Sequence, residues 1–379
     1  MALLAKLLPV GALCLVLAAC SSGDAVDTTP TRATNAGSST STTPRPSPST
    51  TPSPVVPHTV ATGLDVPWGI AVLPDGSALI SLRDQARIVR VTTAGKVSRV
   101  PTSRSDGTIP GVVPEGEGGL LGIALSPGFA TNHLVYAYFT AASDNRIARI
   151  TYTGGRLSAP AVIFTGIPKG ENHNGGRIAF GPDGMLYAGT GEGGVPGRAQ
   201  NRKSLGGKIL RLTPDGKVPP GNPFAGSPVW TYGHRNVQGL AWDSEGNMYA
   251  SEFGQNTWDE LNLIVKGRNY GWPVVEGIGH RAGYTDPLRV WPTDQASPSG
   301  ITIVDDVIYM AALRGERLWR IPLTVKGTGT PQALLRGKFG RLRDVTQALD
   351  GGLLVLTNNT ARGTPRAGDD KLVEIPLPH

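Results

Sequence analysis

Short apolar runs separated by polar turns recur along the chain from Val60 onward. WGIAVLPDGSALIS (68–81), GLLGIALSPGFATNHLVYAYF (119–139), GRIAFGPDGMLYAGTGE (176–192) and GLAWDSEGNMYASE (239–252) each read as strand, tight turn, strand. Looser copies follow as SGITIVDDVIYMAAL (299–313) and DVTQALDGGLLVLT (344–357). Each hairpin is trailed by another strand signal: RIVRVTT, RIARITY, KILRLTP, ELNLIVK, RLWRIPL and KLVEIPL. The six copies lie about 45 to 60 residues apart, the period of propeller blades, and about four strands per unit make one blade. Helical periodicity is nearly absent. The pattern predicts an all-β chain, a six-bladed β-propeller over 58–379, with a pair of β-sandwiches as the alternative that a long period disfavours.

Composition agrees: 51 Gly and 32 Pro in 379 residues supply many tight turns. The net charge of +7 is spread out, and no Lys/Arg block marks a nucleic-acid partner. At the N-terminus Lys6 precedes an apolar run, 7–19, too short for a comfortable membrane span. It ends in Leu17-Ala18-Ala19-Cys20, which resembles a bacterial lipoprotein signal; an ordinary secretory signal is the other reading. The expectation is a signal peptide over 1–19, lipidation at Cys20 and loss of Cys14, leaving no internal disulfide. The Ser/Thr/Pro-rich stretch 20–57 lacks large apolar residues and reads as a disordered tether. The protein is then exported and held at the membrane by its lipid alone.

A propeller gathers the loops of all blades around one axial mouth, so residues distant in sequence converge there. The loops that flank the hairpins carry His, several Arg and a few carboxylates. No zinc-ligand spacing and no GxSxG elbow is present, and GEGG at 191–194 lacks a following helix and reads as a turn. His173 in ENHNGGR is either a surface-loop histidine or a base able to take a hydroxyl proton near neutral pH. Arg341 and Arg343 alternate onto one side of an extended RLRD run; with Arg314 they suit an anion bearing several carboxylates, or are solvated singly. Glu260 and the backbone near Tyr270 offer oxygen ligands to a hard cation, or a solvated acidic pair.

The stretch TYGHRNVQGLAW…SEFGQNTWDELNLIVKGRNYGWP, with EGEGGLLGIALSPGF, HNGGRIAFGPDGMLY, WPTDQASPSG and RLRDV, resembles the soluble quinoprotein sugar dehydrogenases. The resemblance spans essentially all of 60–378. It implies a six-bladed propeller that binds pyrroloquinoline quinone (PQQ) and calcium and oxidises an aldose at C1 to the lactone. Carried over by position, His173 matches the general base while hydride passes to the quinone. Arg235 and Asn236 match residues beside the quinone carbonyls. Arg314, Arg341 and Arg343 match the groups that hold its carboxylates, and Trp291 and Thr293 match a cofactor-lining segment. The carbonyls of Gly254 and Gln255 match the cofactor calcium site, Glu260 and the Tyr270 carbonyl a structural calcium site, and Glu117 and Asn172 the sugar contacts. The family's glucose enzyme has Gln, Asp, Lys and Pro at the positions of Glu117, Asn172, Arg314 and Gln255, and its loops are longer; this shifts the expected substrate from glucose towards aldoses broadly. The electron acceptor is unknown. The rival readings are a non-catalytic glycan-binding propeller and a metal-dependent lactonase, the latter disfavoured by an Arg-rich mouth.

Overall fold

The computed structural model describes residues 56–377; the expected signal peptide, Cys20 and all of the tether but its last two residues lie outside the described residues. Six antiparallel sheets of four or five strands form the blades of a propeller, as the repeat predicts. The innermost strands are Pro67–Val72, Leu120–Leu125, Ile178–Phe180, Val237–Trp242, Pro298–Val304 and Leu342–Gln347, blades 1 to 6 in order. The hairpin turns close as their residues dictate. In the first, Gly76 takes φ 81°, and Asp75 Oδ1 accepts the Ser77 N–H at 3.0 Å. Among the described residues no helix is long and apolar enough to cross a membrane.

The core is divided among the blade interfaces. Tyr136, Tyr138 and Ile178 pack between blades 2 and 3, and Trp291, Met310 and Trp319 between blades 4 and 5. Blade 6 is closed by the first described strand: His58–Ala61 pairs antiparallel with Leu372–Ile375, and Ala61 and Leu64 join the cluster shared with blade 1.

One irregularity positions the site. The pairing of the innermost strand slips near its start in five blades, between Pro67 and Ile70, Leu120 and Ile123, Val237 and Gly239, Pro298 and Ile301, and Leu342 and Asp344. A bulge bends the strand and re-aims the extra side chain. Trp68, Gln238, Ser299 and Arg343 all come from these slips, and they meet around the axis.

Candidate active site

Arg343 is the hub of the axial mouth. Its Nη1 donates to Gln238 Oε1 at 2.7 Å and its Nη2 to Asn358 Oδ1 at 3.0 Å, while its guanidinium lies 5.8 Å from the Trp68 ring centroid. Arg177 pairs with buried Asp344 at 2.8 Å, and its guanidinium lies 4.5 Å from the Trp68 centroid. Arg343 and Arg341 line one cleft with Arg83, Glu117, Phe253 and Arg362. Burial, then the charges of Arg83 and Arg341, hold Arg343 well below the usual arginine range; burial and Arg362 lower Arg341. The cleft is short of negative charge.

Six side-chain N–H groups here are buried without an acceptor among the described residues: Nε of Arg235, Arg341 and Arg343, Nδ2 of Asn236, Nη2 of Arg177 and Nε1 of Trp272. An unmet buried donor costs about 1–3 kcal/mol. Crowded guanidiniums with spare donors fit a polyanionic ligand rich in acceptor oxygens. The Arg235 and Asn236 backbone is locked to its neighbours. Asn236 Oδ1 accepts the Gly175 N–H at 2.9 Å, the Arg235 carbonyl accepts the Glu192 N–H at 2.9 Å, and the Arg235 guanidinium lies over Trp272 at 5.5 Å.

His173 holds φ 56°, a left-handed backbone that non-glycine residues adopt at a cost. Its N–H donates to Glu117 Oε2 at 3.1 Å and its Nδ1 lies 2.8 Å from Glu192 Oε1. The His173 side chain is 15% exposed and that of Glu192 1%. A carboxylate on Nδ1 selects the tautomer with the proton there, leaving Nε2 as the open acceptor. Glu192 is itself fixed: its Oε2 accepts the Gly194 N–H, and Arg198 Nη1 donates to the Glu192 carbonyl at 3.1 Å. Arg198 belongs to a loop tied down by Lys208, whose buried Nζ donates to the carbonyls of Arg198, Ala199 and Gly206 at 2.8, 3.0 and 2.6 Å.

The remaining residues distribute unevenly. Glu117 bridges His173 to Arg362 Nη1, 3.0 Å away, and Asn172 is half-buried beside His173. Arg314 is exposed and reaches Thr293 Oγ1 at 3.5 Å, whereas Trp291 is a core residue, 4% exposed, 5.8 Å from Trp319. Trp291 thus packs between blades and does not join the cleft. Sequence reasoning sets Gln238 and Glu192 among the polar groups flanking the hairpins without giving either a role, and singles out neither Arg177 nor Arg362. Nothing in the local sequence marks which way a bulged side chain points.

Two oxygen-rich spots could hold cations. The Gly254 and Gln255 carbonyls accept no hydrogen bond from the described residues. Glu260 is buried, accepting Gly277 N–H at 2.8 Å and Asn262 Nδ2–H at 3.1 Å, while Asn262 Oδ1 is buried without a donor. Burial and neighbouring Glu252 raise Glu260 well above the usual range; burial pushes Glu252 up to about 7. The Tyr270 ring stacks on buried His234 at 4.7 Å. Among the described residues no three His, Cys, Asp or Glu side chains are grouped for a metal. The first spot offers backbone carbonyls and the second carboxylate and amide oxygens, all ligands that calcium accepts.

Comparison with known proteins places this arrangement. The profile of the Glucose / Sorbosone dehydrogenase family matches residues 64–364. The chain is 58% identical to the PQQ-bound aldose sugar dehydrogenase of Streptomyces coelicolor, with a TM-score of 0.81 over 85% of this chain and 96% of that one. It is 32% identical over 337 residues to the aldose sugar dehydrogenase of Escherichia coli, covering 79% of this chain and 88% of that protein. It is 34% identical over 263 residues to quinoprotein glucose dehydrogenase B of Acinetobacter calcoaceticus, 59% of this chain and 54% of that protein.

Proposed function

Because the chain belongs to the glucose/sorbosone dehydrogenase family, we propose that it is a PQQ- and calcium-dependent dehydrogenase that oxidises an aldose at C1 to the lactone. The observation that carries this reading is the set of buried, unmatched donors on Arg341 and Arg343 in the cleft and on Arg235 and Asn236 beside Phe253, where four arginines, Arg83, Arg341, Arg343 and Arg362, face one carboxylate, Glu117. When bound there, PQQ supplies the two-electron acceptor. Arg341 and Arg343 would grip carboxylates, and Arg235 and Asn236 would donate to oxygens on which charge develops.

His173 acts as the base. Glu192 holds the Nδ1 proton, so Nε2 faces outward to accept the proton of the C1 hydroxyl. Glu117 and Asn172 contact the sugar; Glu117 also fixes the His173 backbone. The Gly254 and Gln255 carbonyls would hold the cofactor's calcium, which would supply Lewis-acid polarisation there. Glu260 and the Tyr270 carbonyl would hold a second calcium, whose charge would offset that of the buried Glu252 and Glu260 carboxyls. The reading extends to export and lipid attachment at Cys20, which supports a membrane-anchored enzyme; Cys20→Ser releasing the protein from the membrane fraction tests that part.

The test of the reaction is reduction of an artificial electron acceptor by the protein with a panel of aldoses. Sugar-dependent reduction that needs both PQQ and calcium is expected. Sugar binding without reduction would make the protein a glycan-binding propeller instead. His173→Ala should abolish turnover and leave PQQ binding nearly intact.

A further inference from the structure

We propose that Glu276 is the positioning residue of the cation cradle, holding the Gly254 and Gln255 carbonyls in place through the back of the loop that carries them; this rests on the calcium reading above. The loop 254–258 leaves the second strand of blade 4 and rides at the surface, with Gln255, Asn256 and Thr257 exposed. Nothing in its own backbone pins it. Its N–H groups converge on a single atom: Glu276 Oε1 accepts from Gln255, Asn256, Thr257 and Trp258 at 2.8, 3.2, 3.1 and 3.1 Å.

The consequence follows from peptide geometry. In a trans peptide the N–H and C=O point in opposite directions, and the peptides joining 254 to 256 are trans. The Gln255 N–H shares its plane with the Gly254 carbonyl, and the Asn256 N–H with the Gln255 carbonyl. Directing both N–H groups at Glu276 therefore directs both carbonyls away from it, towards the outer side of the loop. One carboxylate oxygen behind the loop thus creates a pair of outward carbonyl oxygens in front.

Two further contacts secure this. Asp259 Oδ1 accepts the Gly254 N–H at 3.0 Å, and a Cβ at Gly254 would overlap the Trp258 carbonyl and press on Glu276. Glu276 is itself anchored, since the next residue, Gly277, donates to buried Glu260 at 2.8 Å and packs on the Trp258 ring. The side chain has the reach, the support and the acceptor to set the loop, and it touches neither cofactor cleft nor His173.

Charge and reach separate in two substitutions. Glu276→Asp keeps the charge and withdraws the acceptor by one methylene; Glu276→Gln removes the charge and keeps an acceptor oxygen in place. Calcium affinity of the full chain, measured by titration calorimetry with PQQ present, should fall at least tenfold in Glu276→Asp and stay within about threefold of wild type in Glu276→Gln. Unchanged affinity in Glu276→Asp overturns the proposal. So does a larger loss in Glu276→Gln than in Glu276→Asp, which would make the effect one of charge. Wild-type protein that binds no calcium removes the cation reading itself and the positioning role with it. Unfolding temperatures of both variants without calcium report whether either has failed to fold; if Glu276→Asp has, Gly254→Ala, which displaces the same loop with Glu276 intact, is expected to show the same tenfold loss, and unchanged affinity there overturns the proposal.

Discussion

At the scale of single residues, the site depends on groups whose second contact fixes the first. Glu192 uses one oxygen for His173 Nδ1 and the other for the Gly194 N–H. Glutamine cannot accept at both positions. Either Gly194 loses its acceptor or the imidazole proton moves to Nε2, where it blocks proton abstraction. Glu192→Gln should lower kcat roughly 100-fold with little change in KM for the sugar, in steady-state assays at saturating PQQ. Arg343 is similarly committed, its fork spanning Gln238 and Asn358. Lysine keeps the charge but meets at most one partner well. Arg343→Lys should weaken PQQ binding about tenfold or more, measured by calorimetry. His173 and the RLRD arginines stood out in the sequence because polar residues flank apolar strands there. Glu192 stood out on the same ground, but its role did not, because its partner lies 19 residues back and they meet only once the loops fold.

At the scale of elements, hairpins were legible because apolar alternation and turn residues are local signals. The bulges were not, since register is settled between strands. That is why Gln238 and Ser299, visible only as polar groups flanking hairpins, showed no sign of their contacts with Arg343, and the inward aim of Trp68 had no signature, while Trp291, placed in a polar-looking segment, turned into the core. The loop 193–207 is a further case. Lys208 holds three of its carbonyls and Arg198 passes that order to Glu192. Burial lowers the Lys208 amine to about 7, below the roughly 10.4 of an unfolded chain. Between those values the unfolded chain binds more protons, so this residue makes stability rise with pH, by up to about 1.4 kcal/mol per pH unit. Thermal unfolding of wild type and Lys208→Met from pH 7 to 10 should show the gap widening in favour of wild type. Parallel profiles would mean that the carbonyls keep the ammonium charged throughout.

At the scale of the whole molecule, the ring is closed by pairing its two ends. His58–Ala61 supplies the outer strand of blade 6, in register with Glu374, Val373 and Leu372, and Gly63 and Leu64 extend the contact through the carbonyls of Gly368 and Asp370. Blade 6 also delivers Arg341 and Arg343 to the cleft, so closure and cofactor binding are linked. Deleting residues 1–57 should leave the unfolding temperature within about 2 °C of the full chain, because the closing strand survives. Deleting through Ala61 removes that strand's hydrogen bonds and its apolar contacts with blade 1, a loss of about 3 kcal/mol, or roughly 5–10 °C. The same deletion should weaken PQQ binding even below the unfolding transition, since the strand bearing Arg343 then sits in a blade whose edge is open. Equal unfolding temperatures for the two deletions would show that the neighbouring blade interfaces hold the ring without the closing strand, and PQQ affinity should then be unchanged as well.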